Sequence, residues 1–591
     1  MLPFILLLPL AASIILIALL KNRKAPGYMA IIGSLLSLAM LPFITYGTDS
    51  IQWLNVGSLS LAITTLVTPI SYMLIAVILF VSPLIFSYST WYMDKPSEQR
   101  RFYIEILAFE AAMLTFAFSG SFITFAIAWE FLSLTSYLLI GFWNTKQGPI
   151  VASRKALTMV FIGDVAILAA IGVMGSTFGT LNFSTILSSI SSVPQGAVFL
   201  SAALLAIAAF TKSAQFPFHE WLIDAMEGPT PVSAYLHSTT MVKAGVFSIL
   251  VLLPLFQYTQ MTYVILVLGI ITAIISTLNA MREFHIKKIL AYSTIQELSL
   301  MMVAIAAGAI TAGIYFFLVQ SFYKALLFFS AGSSMKATNE EDIRKANGMH
   351  SNKLLFYSTL FGVLSLAGFI PFSGFFSSIG ISSSLAGNIP VYAILSLISF
   401  GTSFYILRWF FYVSAPNNVE DAKNAYKAQP KRMILPIAIL AIATLAVSLL
   451  FTRFQSLITS SSYYTYASSG IPLAFSISDA ISFTVLIVIA AIAVYLIYAK
   501  KRINVSQRFS RLGYTAPAVN AFYTHFSYFI MDISEGASIF DRYISDIFDD
   551  MGRFVVRSGY IIRRTSAGQI NYYAAIFAIA LVLLVAYVYL V

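Results

Sequence analysis

The sequence predicts an all-α polytopic membrane protein with about sixteen transmembrane helices, two inverted five-helix repeats containing broken helices, and a long amphipathic lateral helix. Three observations support this prediction. The 591 residues are 59% hydrophobic and only 10% charged, whereas a soluble domain carries about 25% charged residues. Basic residues cluster in alternate loops between apolar segments. Proline and glycine interrupt two of those segments.

Composition excludes several classes of function. The chain has no cysteine, so it holds no disulfide, thiolate metal site or cysteine-bound iron–sulfur cluster. Basic loops on one membrane face account for the net charge of +11 without a nucleic-acid partner. No phosphate-binding loop, dinucleotide fingerprint or metal-ligand spacing is present in the sequence. We therefore predict no catalytic, cofactor-binding or metal-binding residue in this chain.

The predicted spans are apolar segments of about 20 residues, the length that crosses a bilayer. They lie at residues 2–20, 28–46, 61–88, 103–119, 121–143, 157–177, 197–217, 231–254, 261–281, 289–309, 312–332, 355–378, 391–413, 433–452, 476–499 and 570–591. The first has no basic residue before it, while Lys21, Arg23 and Lys24 follow it. We therefore expect a transmembrane helix with its N-terminus outside, rather than a cleaved signal.

The loops predict the orientation. Basic clusters follow spans one, three, five, nine, eleven, thirteen and fifteen, and the alternate loops hold almost none apart from Arg453. The positive-inside rule places these clusters in the cytoplasm.

Two spans contain helix breakers, Pro217 within residues 215–221 and Pro371 within residues 367–376. Corresponding breaks in two halves of a transporter indicate inverted repeats, with irregular backbone where it is buried or faces water. Because the breaks are five spans apart, we predict N-terminal helices over 1–100, a first repeat over 101–255, a second over 256–413 and C-terminal helices over 414–512.

A lateral helix is predicted over 513–566, before a terminal span at 567–591. Apolar residues recur there at three- and four-residue steps opposite a charged face. This pattern is typical of an amphipathic helix, here about 45 residues or roughly 70 Å long. We expect it on the cytoplasmic membrane surface. A soluble tail is the alternative interpretation.

Three lysines lie inside apolar segments: Lys212, Lys243 and Lys324. A charge at the bilayer centre costs roughly 2.5–3.5 kcal/mol on insertion scales, and residues that bear it commonly mark ion pathways. Burial favours the neutral form of a lysine, which can then exchange protons at physiological pH. Snorkelling to the interface is the alternative for Lys212. Together the lysines indicate a path for a proton or another ion.

Acidic residues also lie in the apolar segments. Glu130 is the only ionisable group of its span; it is either the structural partner of a neighbouring lysine or a carboxylate that modulates proton uptake. Glu105, Glu110 and Asp164 are interpreted as partner or interface charges rather than relay centres.

Polar residues near the second and third lysines suggest a hydrated route. His237 lies among hydroxyl residues six positions before Lys243. A buried core histidine is the alternative, but this composition favours a row of hydrated polar side chains. Gln296, Glu297, Ser293 and Thr294 are predicted to line the access to Lys324.

Residues 129–143, 212–233, 237–242 and 288–294 resemble the antiporter-like subunits of respiratory complex I. The resemblance covers nearly the whole chain. The lateral helix followed by residues 563–572 is similar to the distal subunit, called subunit L in bacteria. The large subunit of Mrp-type sodium/proton antiporters is the second relative, suggested by the sequence Val-Lys-Ala-Gly at 242–245.

The resemblance implies a proton-translocating subunit of a quinone oxidoreductase-type complex in the inner (cytoplasmic) membrane of a prokaryote. Other membrane-arm subunits would be its partners, and iron–sulfur clusters and quinone would bind to partner subunits, not to this chain. The implied roles are as follows: Glu130 is the charged partner of the first half-channel, Lys212 its proton carrier, His237 the bridge, Lys324 the second carrier, and Lys155 and Asp164 supporting residues.

One departure from the resemblance concerns span twelve. There the family continues from Gly-Phe-Phe-Ser into a lysine, where this chain has Ser378. Phe316 and Gln320 replace the usual histidines of span eleven. The second half-channel is therefore short of protonatable groups. Three functions remain open: a proton-translocating complex I-type subunit, an Mrp-type antiporter subunit, and a structural clamp with a silent channel.

Overall fold

The computed structural model describes residues 2–19, 25–56, 59–93, 96–385, 387–416, 420–451, 453, 477–499 and 546. All of these except residue 546 belong to one compact unit. Apart from residue 546, the predicted lateral helix at 513–566 and the terminal span at 567–591 lie outside the described residues.

Helices make up most of the described chain. They are α1 (Leu8–Leu19), α2 (Ala25–Met40), α3 (Pro69–Tyr92), α4 (Pro96–Ala117), α5 (Phe122–Ile140), α6 (Gln147–Phe178), α7 (Phe183–Ser188), α8 (Gln195–Lys212), α9 (Glu220–Asp224), α10 (Thr230–Ser238), α11 (Met241–Val251), α12 (Leu253–Tyr258), α13 (Thr262–Arg282), α14 (Ile286–Ala306), α15 (Ile310–Thr338), α16 (Lys353–Ala367), α17 (Ser373–Ser384), α18 (Ile389–Ser414), α19 (Glu420–Lys427), α20 (Lys431–Leu449) and α21 (Ile477–Val494).

Eleven of the described helical segments are long and apolar enough to cross a membrane. The prediction of a largely helical, polytopic membrane protein is therefore confirmed. The remaining predicted spans within the described residues correspond to α4, to the short helices α10–α12, to the pair α16 and α17, and to α21. Among the eleven long apolar helices, α15 is the most completely buried. Every residue of its most apolar 18-residue stretch is enclosed by other parts of the protein.

The prediction of an all-α fold is wrong at the start of span three. Strands β1 (Gly47–Val56) and β2 (Leu59–Val67) form an antiparallel hairpin, with Gly47 opposite Val67. The region 59–67 contains several β-branched residues, which suit a pleated strand better than a helix. Thr68 then accepts a hydrogen bond from the Ser71 amide and begins α3. Span three thus starts at Pro69 rather than at residue 61.

The first helix break directly follows Lys212, where α8 ends. Ala214 adopts a left-handed conformation with φ of 50°. The Gln215 amide donates to the Phe210 carbonyl at 2.8 Å, which compensates part of the interrupted backbone. Pro217 follows a cis peptide bond in this connection, before the short helix α9.

The second break separates α16 from α17. Gly368 has a φ of 79°, a left-handed conformation that glycine adopts without steric cost. Pro371 follows a cis peptide bond there, as Pro217 does in the first break. The Ser365 and Ser373 hydroxyls lie 2.7 Å apart and join the two helix ends.

A third interruption was not predicted. The segment 231–254 was expected to be one span, but α10 ends at Ser238 and α11 begins at Met241. The Thr240 hydroxyl donates to the Tyr235 carbonyl at 2.7 Å, an acceptor that the Thr239 amide also reaches at 3.4 Å. The segment therefore carries hydrogen-bonding hydroxyls at the break instead of proline or glycine.

Candidate functional site

Lys212 is the last residue of α8 and is completely buried. Its Nζ lies 3.7 Å from Asp164 Oδ1 on α6 and 4.8 Å from the centre of the Trp129 ring. It donates hydrogen bonds to the Ser133 hydroxyl and, at 3.3 Å, to the Trp129 carbonyl, both on α5. A buried ion pair therefore lies beside the first helix break.

Asp164 is held by groups that also surround the lysine. Its Oδ1 accepts hydrogen bonds from Trp129 Nε1 at 2.8 Å and from the Ser133 hydroxyl at 3.1 Å. A buried ion pair is tolerated when additional hydrogen bonds satisfy the charged groups. Ser133 is not among the predicted site residues, although it lies four residues after Trp129 and so shares its helix face.

Gly163 explains why α6 comes close enough for this pairing. A Cβ atom at this position would lie 2.0 Å from Thr211 Oγ1 and 3.1 Å from the Ala208 Cα. Both contacts are on α8, within four residues of Lys212. The glycine before Asp164 therefore permits the helix approach on which the ion pair depends.

Asp164, rather than Glu130, forms the ion pair with Lys212, and the role of Glu130 as the charged partner of this half-channel stays a prediction. Glu130 is only half-buried, and among the described residues its buried Oε1 has no hydrogen-bond partner. It still interacts electrostatically with both Lys212 and Asp164. Successive residues of a helix point about 100° apart, so Glu130 turns away from the face that Trp129 presents to the lysine.

Lys155, predicted as a supporting residue, contacts a different group of acids. Its Nζ lies 2.9 Å from Asp224 Oδ2 and 3.4 Å from Glu220 Oε2. Both acids belong to α9, just beyond the first break. Lys155 therefore fixes α9 against α6 and is not part of the Lys212 cluster.

Lys243 lies in the first turn of α11 and is completely buried. Its Nζ donates to the Phe317 carbonyl and to the Ser321 hydroxyl, both on α15, and lies 4.6 Å from the centre of the Phe317 ring. Ser321 precedes Lys324 by three residues, so it lies on the same side of α15. Lys243 thus connects the broken segment α10–α11 to the helix that carries the third lysine.

The end of α8 also touches the start of α11. The Ser213 hydroxyl donates to the Val242 carbonyl at 2.7 Å. A Cβ on Gly245 would approach the Ala209 carbonyl oxygen to 2.1 Å, which makes a side chain impossible without moving a helix. The backbone around Lys212 is therefore in direct contact with the backbone around Lys243.

His237 is completely buried in the last turn of α10. Its ring lies near the Trp221 and Phe328 rings, with centroid distances of 6.5 and 6.0 Å. Within the described part of the chain, neither ring nitrogen has a hydrogen-bond partner. Buried polar groups normally do, so this imidazole is poised for a water or another mobile donor.

Lys324 on α15 forms the second buried ion pair. Its Nζ lies 3.0 Å from Glu297 Oε2 on α14 and donates to the Ser293 hydroxyl. The Tyr323 hydroxyl donates to Glu297 Oε1 at 3.0 Å. The pair has the same three components as the first one: a lysine, a carboxylate and a serine hydroxyl.

A narrow cavity adjoins Glu297 and reaches α17. Ser378, at the position where the family resemblance led us to expect a lysine, is one of its lining residues. The lining residues are Gln296, Glu297, Leu300, Phe316, Tyr323, Leu366, Ala367, Gly374, Ser378, Ser399, Thr402 and Phe483. Gln296 is oriented within it, since its amide donates to Thr402 Oγ1 and its carbonyl accepts from the Tyr405 hydroxyl.

The predicted access residues of Lys324 divide into two groups. Ser293, Gln296 and Glu297 contact the lysine or line this cavity, whereas the Thr294 hydroxyl bonds to its own helix at Leu290. In the described segments, no three His, Asp or Glu side chains come together as possible metal ligands.

Two family profiles match the chain. The family described as "NADH:quinone oxidoreductase/Mrp antiporter, TM" matches residues 119–404, which include Lys212, Lys243 and Lys324. The family described as "NADH-Ubiquinone oxidoreductase (complex I), chain 5 N-terminus" matches residues 53–103.

Individual relatives come from both branches. The chloroplastic NAD(P)H-quinone oxidoreductase subunit 5 of Chlorokybus atmophyticus is 31% identical over 69% of this chain and 67% of its own length. NADH-quinone oxidoreductase subunit L of Campylobacter jejuni is 35% identical over 62% of this chain and 64% of its own length. Subunit A1 of a Na⁺/H⁺ antiporter of Staphylococcus saprophyticus is 32% identical over 62% of this chain and 49% of its own length.

A solved structure shares the fold. The Mrp complex of Dietzia sp. DQ12-45-1b matches 99% of this chain and 63% of its own chain, with a TM-score of 0.75 and 22% identity. This chain spans about half to two thirds of the length of the curated relatives that it matches. Profile, sequence and fold agree, and the chain therefore belongs to the family of antiporter-like membrane subunits that NADH:quinone oxidoreductases and Mrp antiporters share.

Proposed function

We propose that this chain is a proton-translocating membrane subunit of a complex I-like oxidoreductase. Electron transfer in partner subunits, which would hold the iron–sulfur clusters and the quinone, drives proton movement through the chain. The observation that carries the proposal is the row of three buried lysines, Lys212, Lys243 and Lys324, each bonded to a serine hydroxyl.

The two ion pairs allow the proton affinity of Lys212 and Lys324 to change. A lysine beside a carboxylate is stabilised in its charged form, and a desolvated lysine without that carboxylate is stabilised in its neutral form. Separating Lys212 from Asp164, now 3.7 Å apart, therefore promotes proton release. The same reasoning applies to Lys324 and Glu297, which are 3.0 Å apart.

The middle lysine couples the two pairs. Lys243 hydrogen-bonds to α15 one turn before Lys324, and its charge interacts with that of Glu297. When Lys243 is charged, Glu297 is attracted towards both Lys243 and Lys324. A change in the protonation of Lys243 therefore alters the proton affinity of Lys324. His237, with neither ring nitrogen bonded within the described residues, is the group through which protons pass between the two halves.

The cavity beside Glu297 is the route by which the second pair exchanges protons. The amide and hydroxyl groups of Gln296, Ser378, Ser399 and Thr402 line it. These groups support ordered water, which needs two to four polar partners. In this proposal, water held by these side chains replaces the lysine that the family resemblance led us to expect at Ser378.

The proposal includes the finer architecture. The chain has sixteen spans with its N-terminus outside, in the cytoplasmic membrane of a prokaryote. The two five-helix repeats are inverted, which is supported by one break in each, near Pro217 and Pro371. The lateral helix and terminal span, which lie outside the described residues, join the chain to other membrane-arm subunits.

The identity of the partners tests this proposal against an antiporter function. The resemblance to Na⁺/H⁺ antiporter subunits favours the second candidate, an Mrp-type sodium/proton antiporter subunit. Purification from native membranes in mild detergent, followed by mass spectrometry, distinguishes them. Iron–sulfur and quinone-binding subunits support the oxidoreductase; small antiporter subunits without any redox centre support the antiporter instead.

A further inference from the structure

Helix α4 carries two acids within the membrane region, and they differ in their surroundings. Glu105 pairs with Arg101 one turn away, at 2.6 Å. Glu110 is completely buried, and no ion pair within the described residues includes it. Glu110 also lies outside the row of lysines, so the proposed proton path does not account for it.

The contacts of Glu110 are hydroxyl groups. The Ser34 hydroxyl of α2 donates to Glu110 Oε1 at 2.7 Å. The Ser82 hydroxyl of α3 lies beside the same carboxyl, while the buried Oε2 has no hydrogen-bond partner in the described part of the chain. Among the described residues, Tyr235 of α10 is a titratable group that interacts with Glu110 from a neighbouring helix.

These hydroxyls lead from Glu110 towards His237. The Ser82 and Tyr235 oxygens are 2.6 Å apart. Either of these hydroxyls can donate to the other, and the Ser82 hydroxyl also donates to the Ile78 carbonyl at 2.8 Å. Tyr235 precedes His237 by two residues in α10, just before the unpredicted helix interruption.

The chemistry of an isolated buried carboxyl explains what such a site does. A carboxylate without a cation or full hydrogen bonding is unfavourable at low dielectric, whereas a protonated carboxyl has one donor and remaining acceptor capacity. The Ser34 hydroxyl donates to one oxygen, so the unpartnered Oε2 is the atom that can take up and release a proton.

We propose that Glu110 is an additional proton-accepting residue, which exchanges protons with His237 through Ser82, Tyr235 and intervening water. The N-terminal helices α2–α4 would then supply a lateral branch that joins the proposed proton path at His237. This proposal rests on the proposed proton-translocating function and adds a group that the lysine row does not contain.

The test uses the complete purified complex in lipid vesicles, with proton uptake followed by a trapped pH indicator. Glu110→Gln is expected to slow proton translocation by about a hundredfold, the lower end of the range for losing one proton-transfer group. Glu105→Gln, on the same helix, is the matched control and is expected to leave the rate close to that of the original protein. Tyr235→Phe keeps the aromatic packing and is expected to slow translocation as Glu110→Gln does.

Infrared difference spectroscopy supplies a readout that a structural role would not produce. A carboxylic-acid C=O band that responds to a pH step and is absent in Glu110→Gln supports the proposal. A band that stays constant with pH overturns the proposal for Glu110. Normal rates in both Glu110→Gln and Tyr235→Phe, with an inactive Lys212→Ala, also overturn it. In both cases the proposed proton-translocating function still stands. Normal rates in all three variants instead contradict the proposed function itself.

Discussion

Lys212 Nζ lies 3.7 Å from Asp164 Oδ1, with the lysine at the end of a broken helix and the aspartate within an unbroken one. The regular hydrogen bonding of α8 stops at Lys212, whereas α6 continues for several turns on both sides of Asp164. The pair therefore joins the interrupted end of one helix to the middle of a continuous one. This geometry suits a proton carrier whose affinity depends on the distance to its counter-ion.

Asp164→Asn is expected to impair the protein more than Glu130→Gln. Removing one member of a buried ion pair destabilises by about 3–5 kcal/mol, because it leaves the other charge unpaired. The half-buried Glu130 has no such direct partner among the described residues. Thermal unfolding of the purified complex and its proton translocation rate would measure both effects. A more severe defect in Glu130→Gln would contradict the assignment of Asp164 as the partner.

Gly163→Ala is expected to weaken the same ion pair without changing any charge. The new methyl group would lie 2.0 Å from Thr211 Oγ1, so α8 must move away; such overpacking costs about 1–3 kcal/mol. Gly172→Ala is the control, because a Cβ on this other glycine of α6 meets no atom within 4 Å. Thermal unfolding and proton translocation should decline in the first variant only. Equal behaviour of the two variants would show that the close helix contact is not required.

Ser378→Leu is expected to block proton exchange at the Glu297 cavity. Leucine fills a hydroxyl-lined space with apolar atoms that cannot hold water. Ser378→Lys adds similar bulk but retains a polar end, so it should preserve translocation. We expect a loss of about a hundredfold in the leucine variant, the lower end of the range for removal of one proton-transfer group. If the leucine variant translocates protons normally, the cavity is not on the path.

Outside the membrane region, acid should loosen the loop that follows α15. Glu341 Oε2 lies 3.1 Å from His285 Nε2, and this hydrogen bond holds the pKa of the Glu341 carboxyl below its ordinary value of 4.5. Its stabilising effect is therefore complete above about pH 4.5 and is lost as the pH falls through the lower folded pKa.

Glu341→Gln gives the measurement for this loop. The difference in thermal stability between the original protein and this variant should be present at neutral pH and should shrink in acid. A difference that grows on acidification would contradict the direction of the pKa shift.

Much of the site could be predicted from single residues. Lys212, Lys243 and Lys324 stand out because apolar surroundings make a charge costly, and Pro217 and Pro371 stand out because proline lacks the amide that a helix needs. The polar run at 293–297 predicted that residues of α14 line the access to Lys324. These signals depend on composition and local backbone chemistry, which a sequence displays directly.

Other features depend on how helices face each other. Glu130 was expected beside Lys212, yet rotation along α5 presents Trp129 and Ser133 instead. The interruption after Ser238 has no proline or glycine to announce it. The strand β2 was mistaken for the start of a span because its apolar residues are continuous with those of α3. Each error concerns tertiary contacts that local patterns do not specify.

The most direct test of proton transfer through the lysine row is the number of protons translocated per turnover by the purified complex carrying Lys212→Ala. Composition of the complex and its electron-transfer rate with uncoupler serve as controls for assembly. We expect the number of protons per turnover to fall while the complex remains assembled. An unchanged number would contradict a proton-carrying role for Lys212 and would favour a structural role for this chain.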